Sequence, residues 1–373
     1  MTELQTVDNS WMSINWKRGP KENFDFTKVL RWAILGIVGC GKSSFLERIG
    51  ELNLLYGNNV LDIYASKDGE NLAWLRSDWV QKQNKSVLLL HGEGVDIKSE
   101  YDTKLASKIS LRDLEKYDII ISSNPLYMSS DQEYREITNV IEKIRNRRTY
   151  KKINCGIIRE ASNLLYSRIK VSMDQTHTKN RIVYALRESR HSGLGLVLDS
   201  LRVKSIDVDA RITYDYEVIK SLGIPGLTKE MDWLYSYFRP AFIRNMPEDA
   251  FIILSKRGGI GIGCFREVLW HKQEKEDILK AVNVKVEYGE AEPISSQNMT
   301  TYKTISDVEH SEIMELFFGE GQSMGKIEKL KKRSKSTISK HIKDHRDSIL
   351  RSGFCPSCKR VNGKYFTTKE RGE

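Results

Sequence analysis

The chain has 373 residues, of which 39% are hydrophobic and 29% charged, and its formal net charge is +10. These values are typical of globular proteins, and no run reaches the roughly 18 apolar residues of a membrane span, so a membrane-embedded, collagen-like or mainly disordered protein is excluded. The length suggests about two domains. The first 16 residues have no apolar signal core, and the five cysteines are too scattered for a disulfide framework. We therefore expect a cytoplasmic protein, or one of the host cytoplasm if the source is viral.

The basic charge is concentrated at one end of the chain. Residues 322–373 contain 15 Lys and Arg against 5 Asp and Glu, so residues 1–321 are formally neutral. A neutral body with a strongly basic terminal segment predicts an enzyme or motor core that carries a polyanion-binding appendage. A solvated basic tail is the alternative.

Apolar runs of strand length alternate with longer stretches of helical spacing through the first two-thirds of the chain. Because parallel strands need crossover connections, this alternation predicts an α/β fold with a mostly parallel sheet flanked by helices. Gly258–Phe265 is expected to form a hairpin or a close backbone approach. The predicted strands are Trp32–Val38, Val60–Tyr64, Ser86–Leu90, Asp118–Ser122, Ile153–Ile158, Gly195–Asp199 and Ala250–Leu254, and the predicted helices are Lys42–Leu54, Asp131–Asn146 and Gln175–His191.

The sharpest motif is Gly36-Ile37-Val38-Gly39-Cys40-Gly41-Lys42-Ser43, which matches the P-loop pattern between a predicted strand and a predicted helix. Its glycines allow backbone N–H groups to point at a phosphate, and the helix N-terminus adds its dipole. Lys42 would neutralise β/γ-phosphate charge, and the Ser43 hydroxyl would ligate Mg²⁺. We predict ATP and Mg²⁺ as ligands of Gly36, Gly39, Cys40, Gly41, Lys42, Ser43 and Ser44.

A P-loop ATPase also needs a carboxylate at the end of a neighbouring strand. The strand Ile153–Ile158 leads into Arg159-Glu160-Ala161, and the strand Gly195–Asp199 ends in a carboxylate. Glu160 could instead form a surface ion pair with Arg159 or Arg168, and Asp199 could be a plain strand-end cap.

The segment Arg159-Glu160-Ala161-Ser162-Asn163-Leu164 resembles the Walker B strand of the FtsK/HerA superfamily of DNA-pumping ATPases, in which Asp-Glu-Ala leads into a similar helix start. The resemblance covers roughly residues 30–225. It implies a RecA-like sheet, a homo-oligomeric ring with a hexamer favoured, and Glu160 as the residue that orients water. Arg159 replaces the family's Mg²⁺-associated Asp, and Leu201 stands where a Gln is usual. Asp199 is then the candidate metal-side carboxylate.

Oligomeric ATPases of this type commonly take an arginine from a neighbouring subunit to stabilise phosphoryl charge. Arg187, Arg190, Arg202 and Arg211 cluster around the presumed sensor strand. The resemblance favours Arg202 or Arg211 as this residue, while a solvated or structural role is the alternative for each.

The basic segment has the pattern of a helix-turn-helix. Predicted helices span Asp307–Phe318, Met324–Lys332 and Thr337–Leu350, and the pattern resembles resolvase-like or sigma-factor-like DNA-binding domains. Duplex DNA is therefore the predicted partner, although a basic hairpin that packs on the core or on a partner protein remains open. The predicted DNA-facing residues are Lys335, Ser336, Thr337, Ser339, Lys340 and Lys343, and phosphate contacts are expected from Lys329, Lys331, Lys332 and Arg333.

Cys355 and Cys358 have the spacing of half a zinc knuckle. His341 and His345, one helical turn apart, could complete a four-ligand zinc site. A site shared between subunits and a pair of inert reduced thiols are the alternatives.

The sequence thus predicts a P-loop ATPase domain over residues 1–285, a linker over 286–305, a helix-turn-helix domain over 306–351 and a basic tail with the CxxC motif over 352–373. The predicted function is an ATP-dependent motor for translocation, packaging or transfer of duplex DNA. Arg159 and Leu201 favour an alternative, an ATP-regulated DNA-binding regulator with slow or no hydrolysis. A small-molecule kinase is disfavoured, because a helix-turn-helix would have no purpose there.

Overall fold

The computed structural model describes residues 11–289, 307–352 and 355, apart from gaps at 66, 148, 167–171, 202–205, 212, 224–226 and 228. The chain divides into two compact units, residues 1–291 and 292–373. None of the described helices is long and apolar enough to cross a lipid bilayer.

The described strands all belong to the first unit. They are β1 Met12–Arg18, β2 Arg31–Leu35, β3 Asn59–Tyr64, β4 Val87–His91, β5 Val95–Lys98, β6 Asp102–Leu105, β7 Ile119–Ser122, β8 Asn154–Ile158, β9 Leu194–Ser200, β10 Tyr216–Ile219, β11 Ala250–Ser255, β12 Ile260–Phe265 and β13 Lys285–Tyr288.

The described α-helices are distributed over both units. They are α1 Lys42–Leu55, α2 Asp78–Gln81, α3 Leu111–Lys116, α4 Ser130–Arg145, α5 Ala161–Leu164, α6 Met173–Ser192, α7 Val208–Arg211, α8 Pro240–Arg244, α9 Ile278–Ala281, α10 Asp307–Met314, α11 Met324–Lys331 and α12 Lys335–Ser352.

The first unit is built on an 11-stranded sheet in the order β1-β12-β11-β10-β2-β9-β8-β3-β7-β4-β6. The run from β10 to β6 is parallel throughout. Strands β11, β12 and β1 extend it in antiparallel pairs. The central strands β2, β3, β8 and β9 are buried along their whole length, as expected where helices cover a parallel sheet. The result is the predicted mixed, mostly parallel sheet flanked by helices.

Local sequence explains where the long helices begin and end. The hydroxyl of Ser129 caps α4 by accepting from Gln132 N, and the hydroxyl of Ser172 caps α6 by accepting from Gln175 N. Helix α6 ends at Gly193, whose positive φ of 63° suits a left-handed helix stop. These caps lie within three residues of the predicted helix boundaries.

Every predicted strand and helix of the first unit is found, and Gly258–Phe265 contributes β12 of a hairpin. Two boundaries were wrong. The strand predicted over Trp32–Val38 ends at Leu35, because the backbone curls from Gly36 onward. The linker predicted over 286–305 begins too early, since Lys285–Tyr288 pairs with β5 in a second, two-stranded sheet. That pairing joins residues almost 190 positions apart, which local composition does not show.

The second unit contains three described helices, and α10 continues into a π-helical turn over Glu315–Gly319. Its small core consists of Ile313, Met314, Phe318, Ile327, Ile338 and Ile342. Helix α11 ends at Lys332, which adopts a left-handed conformation with φ 51°, and the Ser334 hydroxyl then caps α12 by accepting from Thr337 N. The three helices predicted here are present, and their DNA-binding role stays a prediction.

Candidate nucleotide site

The P-loop is fixed between the ends of two neighbouring strands. Gly36 N donates to Ser200 O at 3.2 Å, and Ile37 N donates to Ser221 O at 3.0 Å. Gly41 has φ 79°, and a Cβ built on it would lie 2.6 Å from the Glu248 carbonyl oxygen. Only glycine fits this position, because both the conformation and the close backbone approach exclude a side chain. The loop therefore leads directly into α1, which begins at Lys42.

Lys42 lies in a buried pocket beside Asp199. Its ammonium donates to Ile37 O at 2.9 Å and lies 3.9 Å from Asp199 Oδ2. Burial raises the pKa of Asp199 to about 6, although the Lys42 charge and a hydrogen bond from Glu160 N work against this rise. Asp199 thus stands at the P-loop and is mostly ionised at neutral pH, while its role as a metal-side carboxylate stays a prediction.

Glu160 follows β8 at the same edge of the sheet. Its backbone has φ 47° and ψ 47°, a left-handed conformation that costs a non-glycine residue about 1 to 2 kcal/mol. Its side chain is exposed, and Oε2 accepts from Asn163 Nδ2 at 3.1 Å. Partial desolvation and the nearby carboxylates of Glu70 and Asp68 raise its pKa. A strained backbone that presents an exposed carboxylate beside a P-loop is typical of a functional position.

Arg159 does not occupy a metal position. Its guanidinium is 1% exposed and contacts Asp62 Oδ2 at 2.8 Å, Glu47 Oε1 at 2.9 Å and Glu70 Oε1 at 3.0 Å. Burial works against its charge, but these carboxylates raise the pKa well above its ordinary value. Arg159 is therefore the cation that balances a buried acidic cluster. It pairs with these residues rather than with Glu160, contrary to one alternative considered for Glu160.

Glu70 is the site residue that sequence reasoning missed. It begins the short 3₁₀ helix Glu70–Arg76 that follows β3, and its carboxylate accepts a hydrogen bond from the Ser43 hydroxyl. Burial alone would raise the pKa of Glu70, but Arg159, the Ser43 hydroxyl and His271 together hold it below its usual value. The available signal was Asp68-Gly69-Glu70, an acidic turn just after a buried strand.

His271 contacts two carboxylates of the same acidic cluster. Its Nδ1 lies 3.0 Å from both carboxylate oxygens of Glu47, and its Nε2 lies 3.7 Å from Glu70 Oε1. Burial would lower the pKa of His271, but the two carboxylates outweigh this effect and raise it. Glu47, Glu70 and His271 are close enough to hold a metal ion, and Arg159 contacts both carboxylates.

The residues around Ser43 fit Mg²⁺. The ion prefers hard oxygen ligands, and the structure supplies the Ser43 hydroxyl, the Glu70 carboxylate that accepts from it, and the Asp199 carboxylate 3.9 Å from the Lys42 ammonium. Each carboxylate is ionised at neutral pH by the shifts given above. This donor set matches the expected metal side of a P-loop.

A cavity of about 400 Å³ opens beside the start of α1. Gly41 and Ser44 form one wall, so the cavity is continuous with the P-loop residues. Cys40, also predicted to bind nucleotide, is buried, and burial raises the pKa of its thiol. The remaining lining residues are Glu248, Asp249, Phe265, Arg266 and Glu267.

Two of the predicted arginines pair with carboxylates of the same chain, and the proposal of an arginine from a neighbouring subunit stays a prediction. Arg187 lies 3.1 Å from Asp209, and Arg190 lies 3.5 Å from Asp215. Arg202 falls outside the described residues, and only the backbone of Arg211 is described, at the end of α7.

In the second unit, Lys335, Ser339, Lys340 and Lys343 are exposed on α12 as predicted, opposite the buried Ile338 and Ile342. Thr337 is half-buried, with its hydroxyl 2.8 Å from the Ser334 hydroxyl, and the Ser336 side chain falls outside the description.

Two of the predicted phosphate contacts are already paired within the unit. Arg333 forms two hydrogen bonds to Glu309, at 2.8 and 2.7 Å, and Lys331 pairs with Glu312. These acidic partners lie on α10, so the pairs connect the turn between α11 and α12 to the first helix of the unit. The phosphate contacts of Arg333 and Lys331 stay a prediction, and such contacts would have to compete with these two pairs.

The predicted zinc ligands are partly brought together. Cys355 is buried beside His310 and His345, whereas His341 contacts only the other ring nitrogen of His310. Cys358 lies outside the described residues.

No family model matches the chain, and no curated protein matches it. Among solved structures, the genome packaging NTPase B204 from Sulfolobus turreted icosahedral virus 2, in complex with ATPγS, is 14% identical over 65% of this chain and 98% of that one, with a TM-score of 0.37. Two further structures contain ATPases 2 and 3 of larger chains. EccC from Thermomonospora curvata is 12% identical over 66% of this chain and 38% of that one, with a TM-score of 0.36. EssC from Geobacillus thermodenitrificans is 11% identical over 68% and 42%, with a TM-score of 0.35. At these values the likeness is distant.

Proposed function

We propose that this protein binds ATP at the P-loop, hydrolyses it, and uses the cycle to move or package duplex DNA. One observation carries the proposal. Lys42 lies beside Asp199, near the end of β9, and Ser43 donates to Glu70, which follows β3, while Glu160 directly follows the intervening strand β8 and experiences the Lys42 charge. A cation, a metal-binding hydroxyl and acidic groups in one place are the parts that phosphoryl transfer to water requires.

Each residue has a role that follows from its position. Lys42 and the N–H groups at the start of α1 bind the phosphates. Ser43, Glu70 and Asp199 would hold Mg²⁺, which neutralises β/γ-phosphate charge when it is bound. The cavity beside Gly41 and Ser44 accepts the nucleoside.

Glu160 is the residue that orients the attacking water. Its carboxylate is exposed beside the P-loop, while that of Asp199 is buried and engaged by Lys42 and by Glu160 N. An exposed carboxylate with a raised pKa can hold and polarise a water molecule, and a buried one that faces the lysine is better suited to the metal side.

The role of Arg159 supports hydrolysis rather than purely regulatory binding. Its occurrence in place of the family's Asp suggested a weakened metal side. In the structure, however, it neutralises buried carboxylates, and Glu70 and Asp199 supply acidic groups at Ser43. The site therefore retains the carboxylates that turnover needs.

Duplex DNA is the proposed partner of the second unit. Lys335, Lys340 and Lys343 are exposed on α12, near its start, on the side away from the core, and the Ser334 cap fixes where that helix begins. This arrangement fits a recognition helix in the major groove with lysines at phosphates or base edges. By the resemblance to FtsK/HerA ATPases, we also propose a homo-oligomeric ring, with a hexamer favoured, in which Arg202 or Arg211 reaches a neighbouring site.

The test is ATP turnover by the purified full chain with and without duplex DNA. Turnover should require Mg²⁺, rise on addition of DNA, and vanish in Lys42→Ala, whereas the matched control Lys82→Ala, at an exposed lysine that directly follows α2, should behave as wild type. Undiminished turnover in Lys42→Ala would overturn the P-loop assignment. ATP-dependent DNA binding without any turnover would replace the motor with a regulator.

A further inference from the structure

A second cluster of metal-binding groups lies in the helical unit. His310 on α10, His345 on α12 and Cys355 just beyond α12 are 4%, 1% and 2% exposed. One ligand atom from each lies within 4.8 Å of the others. The cluster has one thiol and two imidazoles, a donor set that suits zinc and is poorly suited to Mg²⁺ or Ca²⁺.

The distances fit coordination of one metal ion. His310 Nε2 lies 3.4 Å from His345 Nδ1 and 3.5 Å from Cys355 Sγ. The first distance exceeds the usual range of about 2.7 to 3.2 Å for a nitrogen donor's hydrogen bond to oxygen. Tetrahedral zinc with bonds of about 2.05 Å to nitrogen and 2.3 Å to sulfur places two nitrogens about 3.3 Å apart and a nitrogen and sulfur about 3.6 Å apart. Both observed separations match the edges of that tetrahedron.

His341 takes a supporting position. Its Nδ1 lies 3.5 Å from His310 Nδ1, on the opposite side of the His310 ring from the cluster. A metal-ligating imidazole usually has a polar partner at its second nitrogen, which fixes the ring orientation and tautomer. The pair first considered from sequence, His341 with His345, is thus replaced by His310 with His345.

The helical unit is small, and a metal ion that cross-links its helices would stabilise it. Its described core cluster contains six buried apolar side chains, and Ile349 is buried outside that cluster. Domains of this size rarely gain enough stability from a small core alone, and structural metals are one common supplement. A metal held by His310, His345 and Cys355 would join α10 to α12 and to the chain beyond it.

We propose that His310, His345 and Cys355 bind a structural zinc ion that holds the helical unit together. Three protein ligands are assigned, and a solvent molecule completes the tetrahedron. Binding displaces the proton of the Cys355 thiol, so a thiolate coordinates the ion and the proton goes to solvent.

The test is zinc content of the purified full chain, together with the absorption spectrum after replacement of the metal by Co²⁺. Wild type should hold one zinc per chain and show a thiolate-to-cobalt charge-transfer band with tetrahedral d–d bands. Cys355→Ser should lose the band and at least tenfold in zinc affinity. The matched control Cys264→Ser, at an exposed cysteine of β12, should keep both.

A ligand-preserving variant separates metal binding from general loss of folding. His345→Cys should retain zinc and gain charge-transfer intensity from a second thiolate, whereas His345→Ala should lose the metal. Wild-type protein without stoichiometric zinc and without a cobalt band would overturn the proposal. So would a Cys355→Ser protein that binds zinc and cobalt as wild type does.

Discussion

Replacing Glu70 with Gln should raise the Mg²⁺ requirement of turnover without unfolding the protein. The change removes the carboxylate that accepts from the Ser43 hydroxyl and that lies 3.0 Å from Arg159. Arg159 keeps its two fully buried partners, Asp62 and Glu47, so the cluster remains balanced. A hydrogen bond to a charged group contributes about 1.5 to 3 kcal/mol. The Mg²⁺ concentration for half-maximal turnover should therefore rise about 10- to 150-fold.

The assay is a Mg²⁺ titration of ATP hydrolysis, with urea unfolding measured in parallel. Asp78→Asn is the matched control, because Asp78 begins α2 and pairs at the surface with Lys82, with the two side chains 67% and 72% exposed. Loss of that exposed pair costs at most about 1 kcal/mol and should leave the Mg²⁺ titration near wild type. An unchanged titration in Glu70→Gln, or an equal shift in Asp78→Asn, would refute the role of Glu70.

Three other changes test separate parts of the structure. Burial raises the folded-state pKa of Asp199 from 3.8 to about 6, so wild type should lose folding stability relative to Asp199→Asn as pH rises from 4 through 6. ATP turnover by wild type should fall as pH drops below 6. A difference in melting temperature between the two proteins that stays constant across this pH range would contradict the prediction. Arg159→Met should cost about 3 to 5 kcal/mol in urea unfolding, because it leaves buried carboxylates without their cation, and a cost under about 1 kcal/mol would show that the cluster is not held by Arg159. The exposed lysines Lys335, Lys340 and Lys343 are replaced jointly by Ala. The slope of log affinity for duplex DNA against log salt concentration should then become shallower by about 2.7, and an unchanged slope would show that α12 is not part of the DNA interface.

The parallel sheet and the P-loop were predictable because their signals are local. The run Arg31–Leu35 is apolar apart from its first residue, and the spacing of glycines, lysine and serine from Gly36 to Ser43 is characteristic of a P-loop. The positions of Glu160 and Asp199 followed from the rule that parallel strands bring their carboxyl ends to one edge. The structure places both beside Lys42, although their individual roles are still proposals.

The acidic cluster was not predictable, because its contacts are long-range. Arg159 meets Glu70 and Glu47 across 89 and 112 positions of sequence, and His271 meets Glu47 across 224. The hydrophobic periodicity of the sequence gives no information about contacts between residues so far apart. The substitution of Arg for Asp was visible in the sequence, but its meaning depended on carboxylates from α1 and from the segment after β3.

His310 was missed for a related reason. The sequence showed His341 and His345 at helical spacing, and that spacing favoured them as a pair. The packing of α10 on α12 instead brings His310 between them, with one ring nitrogen facing each. Proximity that arises from helix packing is decided by core side chains such as Ile313 and Ile342, which carry no metal signal of their own.

The most direct test of the proposed active site separates ATP binding from ATP hydrolysis in Glu160→Gln. Binding of ATP and single-turnover hydrolysis are measured on the same protein with Mg²⁺ and duplex DNA present. Removing a residue that orients water should leave ATP affinity near wild type and reduce hydrolysis by about a hundredfold or more. Hydrolysis at the wild-type rate in Glu160→Gln, with loss confined to Asp199→Asn, would contradict this account and make Asp199 the residue that activates water.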